Sequence, residues 1–107
     1  MKSMLLSTSG IVTSNVAAMN ANITPINISV VIKVTSAATY NLEYTYDDIF
    51  APTFTQAGAT WFNHPTLTAG QTTTKDAQFT FPVTGIRINQ TAGAGSTAAI
   101  VLQAGLQ

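Results

Sequence analysis

The chain has 107 residues and no cysteine; 46% of its residues are hydrophobic and only 7% charged. Lys2, Lys33, Lys75 and Arg87 balance Glu43, Asp47, Asp48 and Asp76 to a net charge of zero. This size makes one domain with enough apolar material for a core. The composition argues against disorder, disulfides, thiolate metal sites and a phosphate-neutralising basic patch, and so against nucleic acid as a partner.

The opening "MKSMLLSTSGIVTSNVAAMNANI" carries Lys2 and several apolar residues, but the run Met4–Leu6 breaks at "STSG" and again at "TSN". No 7–15-residue apolar segment of a secretory signal forms, and no stretch approaches the ~20 apolar residues of a membrane helix. Residues 1–24 are expected to be an extended N-terminal arm or a first strand. Recurring Val and Thr and the lack of a capping box disfavour a helix there. Residues 25–107 are expected to form the folded domain.

"INISVVIKVTS" alternates strictly. Ile26, Ile28, Val30, Ile32 and Val34 share one face, with Asn27, Ser29, Lys33 and Thr35 opposite and Val31 the exception. That pattern specifies a strand with one core face. "TYNLEYTYDD" repeats it, with Tyr40, Leu42, Tyr44 and Tyr46 on one side, and the short "SAA" link suits a hairpin between the two. From Asp47 to Thr74, Pro52, Gly58, Pro65 and Gly70 punctuate a loop-rich segment. Within it "ATWFNH" reads as a short strand that sends Trp61 or Phe62 to the core. Alternation resumes at Phe79, Phe81 and Val83, and Pro82 marks an edge or a bend. "GIRINQT" and "STAAIVLQAG" then read as a second hairpin about "AGAGS", where glycine supplies positive φ. Ile28, Val30, Ile32, Leu42, Ile86, Ile88, Ile100 and Leu102 are the expected core. Many short strands with frequent turn signals and no helical period indicate an all-β antiparallel sandwich of seven or eight strands, with a jelly roll the favoured arrangement.

Residues able to do chemistry are sparse. His64 is the single histidine; it sits in a loop before Pro65 and reads as a turn-held ring rather than a base or a metal ligand. Asp47 and Asp48 are adjacent on a strand end, so they should point apart and cap a loop instead of sharing a substrate. The spaced acidic pattern of a calcium loop is absent. "TAGAGST" lacks the lysine and following helix of a phosphate loop. The sequons at Asn22, Asn27 and Asn89 are expected by chance in so Asn- and Thr-rich a chain. Arg87 should face outward between Ile86 and Ile88, either solvated or paired with Asp76 or with a neighbouring chain's carboxylate. No catalytic, cofactor or metal residue is assigned, and an enzyme is not expected.

The run "FPVTGIRINQTAGAGSTAAIVLQAG" resembles the C-terminal hairpin of small virion proteins of tailed bacteriophages, which often end in a strand of the form P-V-T-x-I-R, a glycine-rich turn and a last strand closing in L-Q-A-G. Pro82 to Arg87, Ala92–Ser96 and Leu102–Gly105 carry the likeness, about a quarter of the chain. The resemblance implies a β-sandwich capsid decoration or cement protein, commonly a trimer, located in the virion and bound to the major capsid protein. Zero net charge and a surface of Thr, Ser, Asn and Gln agree with a domain living in an assembly. The alternative is a carbohydrate- or receptor-binding module of a fibre or tail, using Trp61, Phe62 and the tyrosine row as a stacking platform.

Overall fold

The computed structural model describes residues 2–19 and 24–106, and within them side chains at 4–19 and 27–103. Eight strands and no helix are described: β1 (Lys2–Ser9), β2 (Ala17–Ala18), β3 (Thr24–Thr35), β4 (Thr39–Thr45), β5 (Phe62–Asn63), β6 (Lys75–Phe79), β7 (Gly85–Ala92) and β8 (Ser96–Leu106). They form two four-stranded antiparallel sheets, β1-β8-β3-β6 and β2-β7-β4-β5. Strand β1 pairs with β8, β2 with β7, β3 with β6 and β4 with β5; β8 also pairs with β3, and β7 with β4. The pairings are therefore nested, first strand with last and inward to the middle. Residues 2–9 form β1, an edge of the first sheet. Residues 20–23 lie outside the described residues, as does the sequon residue Asn22.

The core lies between the sheets. Ile28, Val30 and Ile32 of β3 face Tyr40, Leu42 and Tyr44 of β4 and Ile86 and Ile88 of β7, with Phe79 and Val83 closing one end. The alternation read from the sequence explains this: the core residues of β3, β4 and β7 are the even positions, and the odd positions of β3 stay exposed or half-buried. Ile26, placed on the same face, has a side chain outside the described residues.

Three expectations fail. Neither link is a hairpin, because β3 and β4 belong to different sheets, as do β7 and β8. Each link crosses the edge of the sandwich, and the two crossings stack on each other. The Gly95 amide donates to the Ala37 carbonyl at 2.8 Å. Gly93 has φ +91°, and a Cβ there would stand 2.3 Å from the Ala37 oxygen. Only glycine fits that approach and that φ.

In β8 the inward face is Thr97, Ala99, Val101 and Gln103; Ile100 and Leu102 are 38% and 36% exposed on the outer face. Residues 98–102 are all apolar, so alternation could not choose a face. Register chose it: Ala99 sits between Leu6 and Ile32, and its small side chain leaves them room. The third correction concerns the aromatics. Trp61 is half-buried and Phe62 exposed on the edge strand β5, outside the core, and Tyr46 is exposed beyond the end of β4.

Inside the core one polar chain is complete. The Thr8 hydroxyl donates to Gln90 Oε1 and shares a bond with Thr97. Gln90 Nε2 donates to the carbonyls of Gly93 and Gly95, which ties the corner to the strands. Among the described residues no buried side-chain nitrogen or oxygen lacks a partner, as a stable interior requires.

Candidate functional site

The outer face of the second sheet carries a connected polar cluster. Glu43 of β4 and Arg87 of β7 are direct cross-strand partners. Arg87 Nε donates to Glu43 Oε1 at 2.7 Å, with the two side chains 12% and 11% exposed. The partner is thus Glu43, not Asp76 or a neighbouring chain, and Arg87 is not a solvated arginine. Its outward direction is as expected; the surroundings are not.

The segment between β4 and β5 folds back over this face and covers the pair. Arg87 Nη1 donates to Gln56 Oε1 at 3.1 Å, and the guanidinium lies 4.1 Å from the centre of the Trp61 ring, a cation–π distance. Trp61 Nε1 donates to the Gln56 carbonyl at 2.9 Å, and Gln56 Nε2 donates to the Ser14 carbonyl at 3.3 Å. Asn89 Nδ2 reaches Glu43 Oε2 at 3.4 Å. The network neutralises both charges and fastens the loop to the sheet. Chemically it is a brace: the carboxylate is engaged by the guanidinium and an amide, and the guanidinium by a carboxylate, an amide oxygen and a ring.

The remaining candidates are also built into the structure. His64 is buried; its Nε2 donates to the Gln78 carbonyl at 2.7 Å, while Nδ1 accepts the Thr66 and Leu67 amides at 3.2 and 3.1 Å. A carbonyl can only accept, so Nε2 carries the proton and the ring is a neutral turn-holder. Asp47 Oδ2 accepts the Thr60 amide at 2.8 Å and Asp48 Oδ1 accepts the Phe50 amide at 3.1 Å, the loop-capping role expected of them. Both residues line one open hollow of about 270 Å³ with Thr53, Thr55 and Gly58, and their carboxylates hold different amides. Among the described residues no three His, Cys, Asp or Glu side chains come close enough to hold a metal ion.

The aromatics form one chain from core to surface. Phe79 contacts His64, Tyr44 and Phe81, and Tyr44 contacts Phe62 and Tyr46, with ring centres 4.7–5.8 Å apart. Tyr46 and Phe62 end it in solvent, 6.0 Å from each other. Tyr40 takes no part in any platform: it is fully buried and its hydroxyl donates to the Thr73 carbonyl.

Sequence reasoning missed Glu43, Gln56 and Asn89. Glu43 shared with Arg87 the property of being a lone charge on the outer face of its strand, but their adjacency follows from β4–β7 pairing. No protein-family model matches the chain, and neither a curated protein nor a solved structure matches it.

Proposed function

We propose that the chain is a structural protein of a bacteriophage particle, a jelly-roll subunit that decorates or cements the capsid. The nested strand pairing carries this reading. Pairs 1–8, 2–7, 3–6 and 4–5 are the rungs of one long antiparallel ribbon, and rolling that ribbon adds the contacts 8–3 and 7–4. Two-sheet jelly rolls of eight strands are an architecture of viral capsid and lectin domains. Fold alone leaves the task open; the C-terminal likeness to phage virion proteins, which spans β7 and β8, points to the particle. The commitment of Glu43, Asp47, Asp48 and His64 to structural bonds supports a subunit without catalysis. The partners on this reading are the major capsid protein and copies of the chain itself.

A mass-spectrometric survey of purified virions tests it, with the chain expected as a particle component. Mixing the protein with undecorated shells should give co-sedimentation that changes little between low and high salt, because only 7% of residues are charged. Absence from particles together with failure to co-sediment overturns the proposal. The exposed Tyr46–Phe62 pair favours one second reading, a carbohydrate-binding module, since aromatic faces stack on sugar rings. A glycan affinity abolished by Tyr46→Ala would establish that reading instead.

A further inference from the structure

The two outer faces of the sandwich are treated differently. The second sheet's face is covered by the chain's own loop through Gln56 and Trp61. Among the described residues the first sheet's face is left open, and it is apolar at its centre. One row across it reads Leu5, Ile100, Val31, Asp76 on β1, β8, β3 and β6. The next row on one side places Leu102 on β8, and the next row on the other places Lys33 on β3. Leu5 is 70% exposed. Asp76, Ile100 and Leu102 rim a shallow hollow of about 170 Å³ over Ser29 and Val31. Lys33 and Asp76 are the only charged residues on this face among the described residues, and neither joins an ion pair there.

We infer that this face pairs with the same face of a second copy about a two-fold axis. The argument is the arrangement itself. Strands lie about 4.8 Å apart and residues rise about 3.4 Å along them. On that grid the step from Lys33 to Asp76, one strand over and one row along, equals the step from Leu5 to Leu102. The line through the midpoints of these two steps runs perpendicular to both. A two-fold axis on that line therefore sets Lys33 against the partner copy's Asp76, Asp76 against its Lys33, and Leu5 against its Leu102, all at once. Ile100 and Val31 fall within about 1.5 Å on either side of the line, so they meet their own counterparts. An isologous contact demands this self-complementarity. It produces an apolar centre with an ionic rim, the ordinary anatomy of an interface. The pairing goes beyond the virion reading and does not depend on it. It also favours two-fold association over the trimer that the resemblance implies.

Sedimentation velocity and light scattering across a concentration series test it. The expected species is a dimer of the 11.2 kDa chain. Leu5→Lys, at an exposed position that leaves the core intact, should yield a monomer with an unchanged far-ultraviolet circular dichroism spectrum. Lys33→Glu alone or Asp76→Lys alone sets like charges together twice per dimer and should weaken association about tenfold. The double swap of Lys33→Glu with Asp76→Lys should restore it to within about threefold of the parent. A monomer or a trimer at all concentrations overturns the inference, and so does a dimer indifferent to these substitutions. Because virion mass spectrometry does not read this contact, either proposal can fail without the other.

Discussion

Arg87 owes its position to three partners, and the energetic consequence is asymmetric. A carboxylate and a guanidinium each about one-eighth exposed have lost most of their hydration, so removing one strands the other. Arg87→Ala should destabilise the fold by about 3 kcal/mol, read from urea unfolding. Replacing both charges with apolar residues of similar volume, Glu43→Leu with Arg87→Met, should recover most of that loss. Equal destabilisation by the single and double changes would show that the ring and amide contacts matter more than the ion pair. Tyr40 gives a prediction in pH. Its burial raises the hydroxyl's pKa above the ordinary value, which is about 10 and holds in the unfolded chain. Below that pH the contribution to stability is fully present. As pH rises past it the unfolded chain ionises first, and stability is lost until the folded group titrates as well. The urea midpoint should therefore fall more steeply between about pH 9 and 11 for the parent than for Tyr40→Phe. Parallel curves would mean that Tyr40 carries none of the alkaline sensitivity.

At the scale of the element, β8 teaches the most. Its largest apolar residues, Ile100 and Leu102, lie on the outer face, and intuition about size misassigns the face. Val101, fully buried, should cost about 2 kcal/mol when cut to Ala, whereas Leu102→Ala should change stability by less than about 0.5 kcal/mol. Thermal scans at dilution low enough to keep the protein monomeric make the comparison clean. A larger loss at Leu102 would mean that the register with β1 and β3 is wrong. The corner between β7 and β8 is similarly decided by backbone contact. Gly93→Ala brings a Cβ against the Ala37 carbonyl at positive φ and should destabilise by at least about 2 kcal/mol. Gly70 also has positive φ, but the space around it is open, so Gly70→Ala should cost only about 1–2 kcal/mol of backbone strain. Similar losses at both would remove the steric part of the argument.

The whole molecule is knit by pairing between its ends. Strand β1 binds β8, with Lys2 opposite Gln103, so the chain must close nearly its full length before the first sheet completes. Loop closure of that span precedes any reward from contacts, and sandwiches of this kind refold in milliseconds to seconds. Stopped-flow refolding of this chain should fall in that window. A microsecond phase carrying the full amplitude would contradict the nested topology.

Strands β3, β4 and β7 were legible because a half-buried strand must alternate, and alternation survives in a linear string; the alternation of Phe79, Phe81 and Val83 runs past the end of β6, which stops at Phe79. So were the absence of a helical period, the core faces of β3, β4 and β7, the turn-holding role of His64 and the loop-capping role of Asp47 and Asp48. The strand patterns and turn signals are local matters, set within a few residues, although Asp47 also reaches Thr60 and His64 reaches Gln78. Sheet membership is not local. A three-residue link serves a hairpin or a crossing equally well, and only the stacking of Gly93 and Gly95 on Ala37 separates the two. The same limit hid the inward face of β8, where five consecutive apolar residues leave no period, and hid Glu43 as the partner of Arg87. Those outcomes depend on which strands lie side by side, and only packing around a common core decides that.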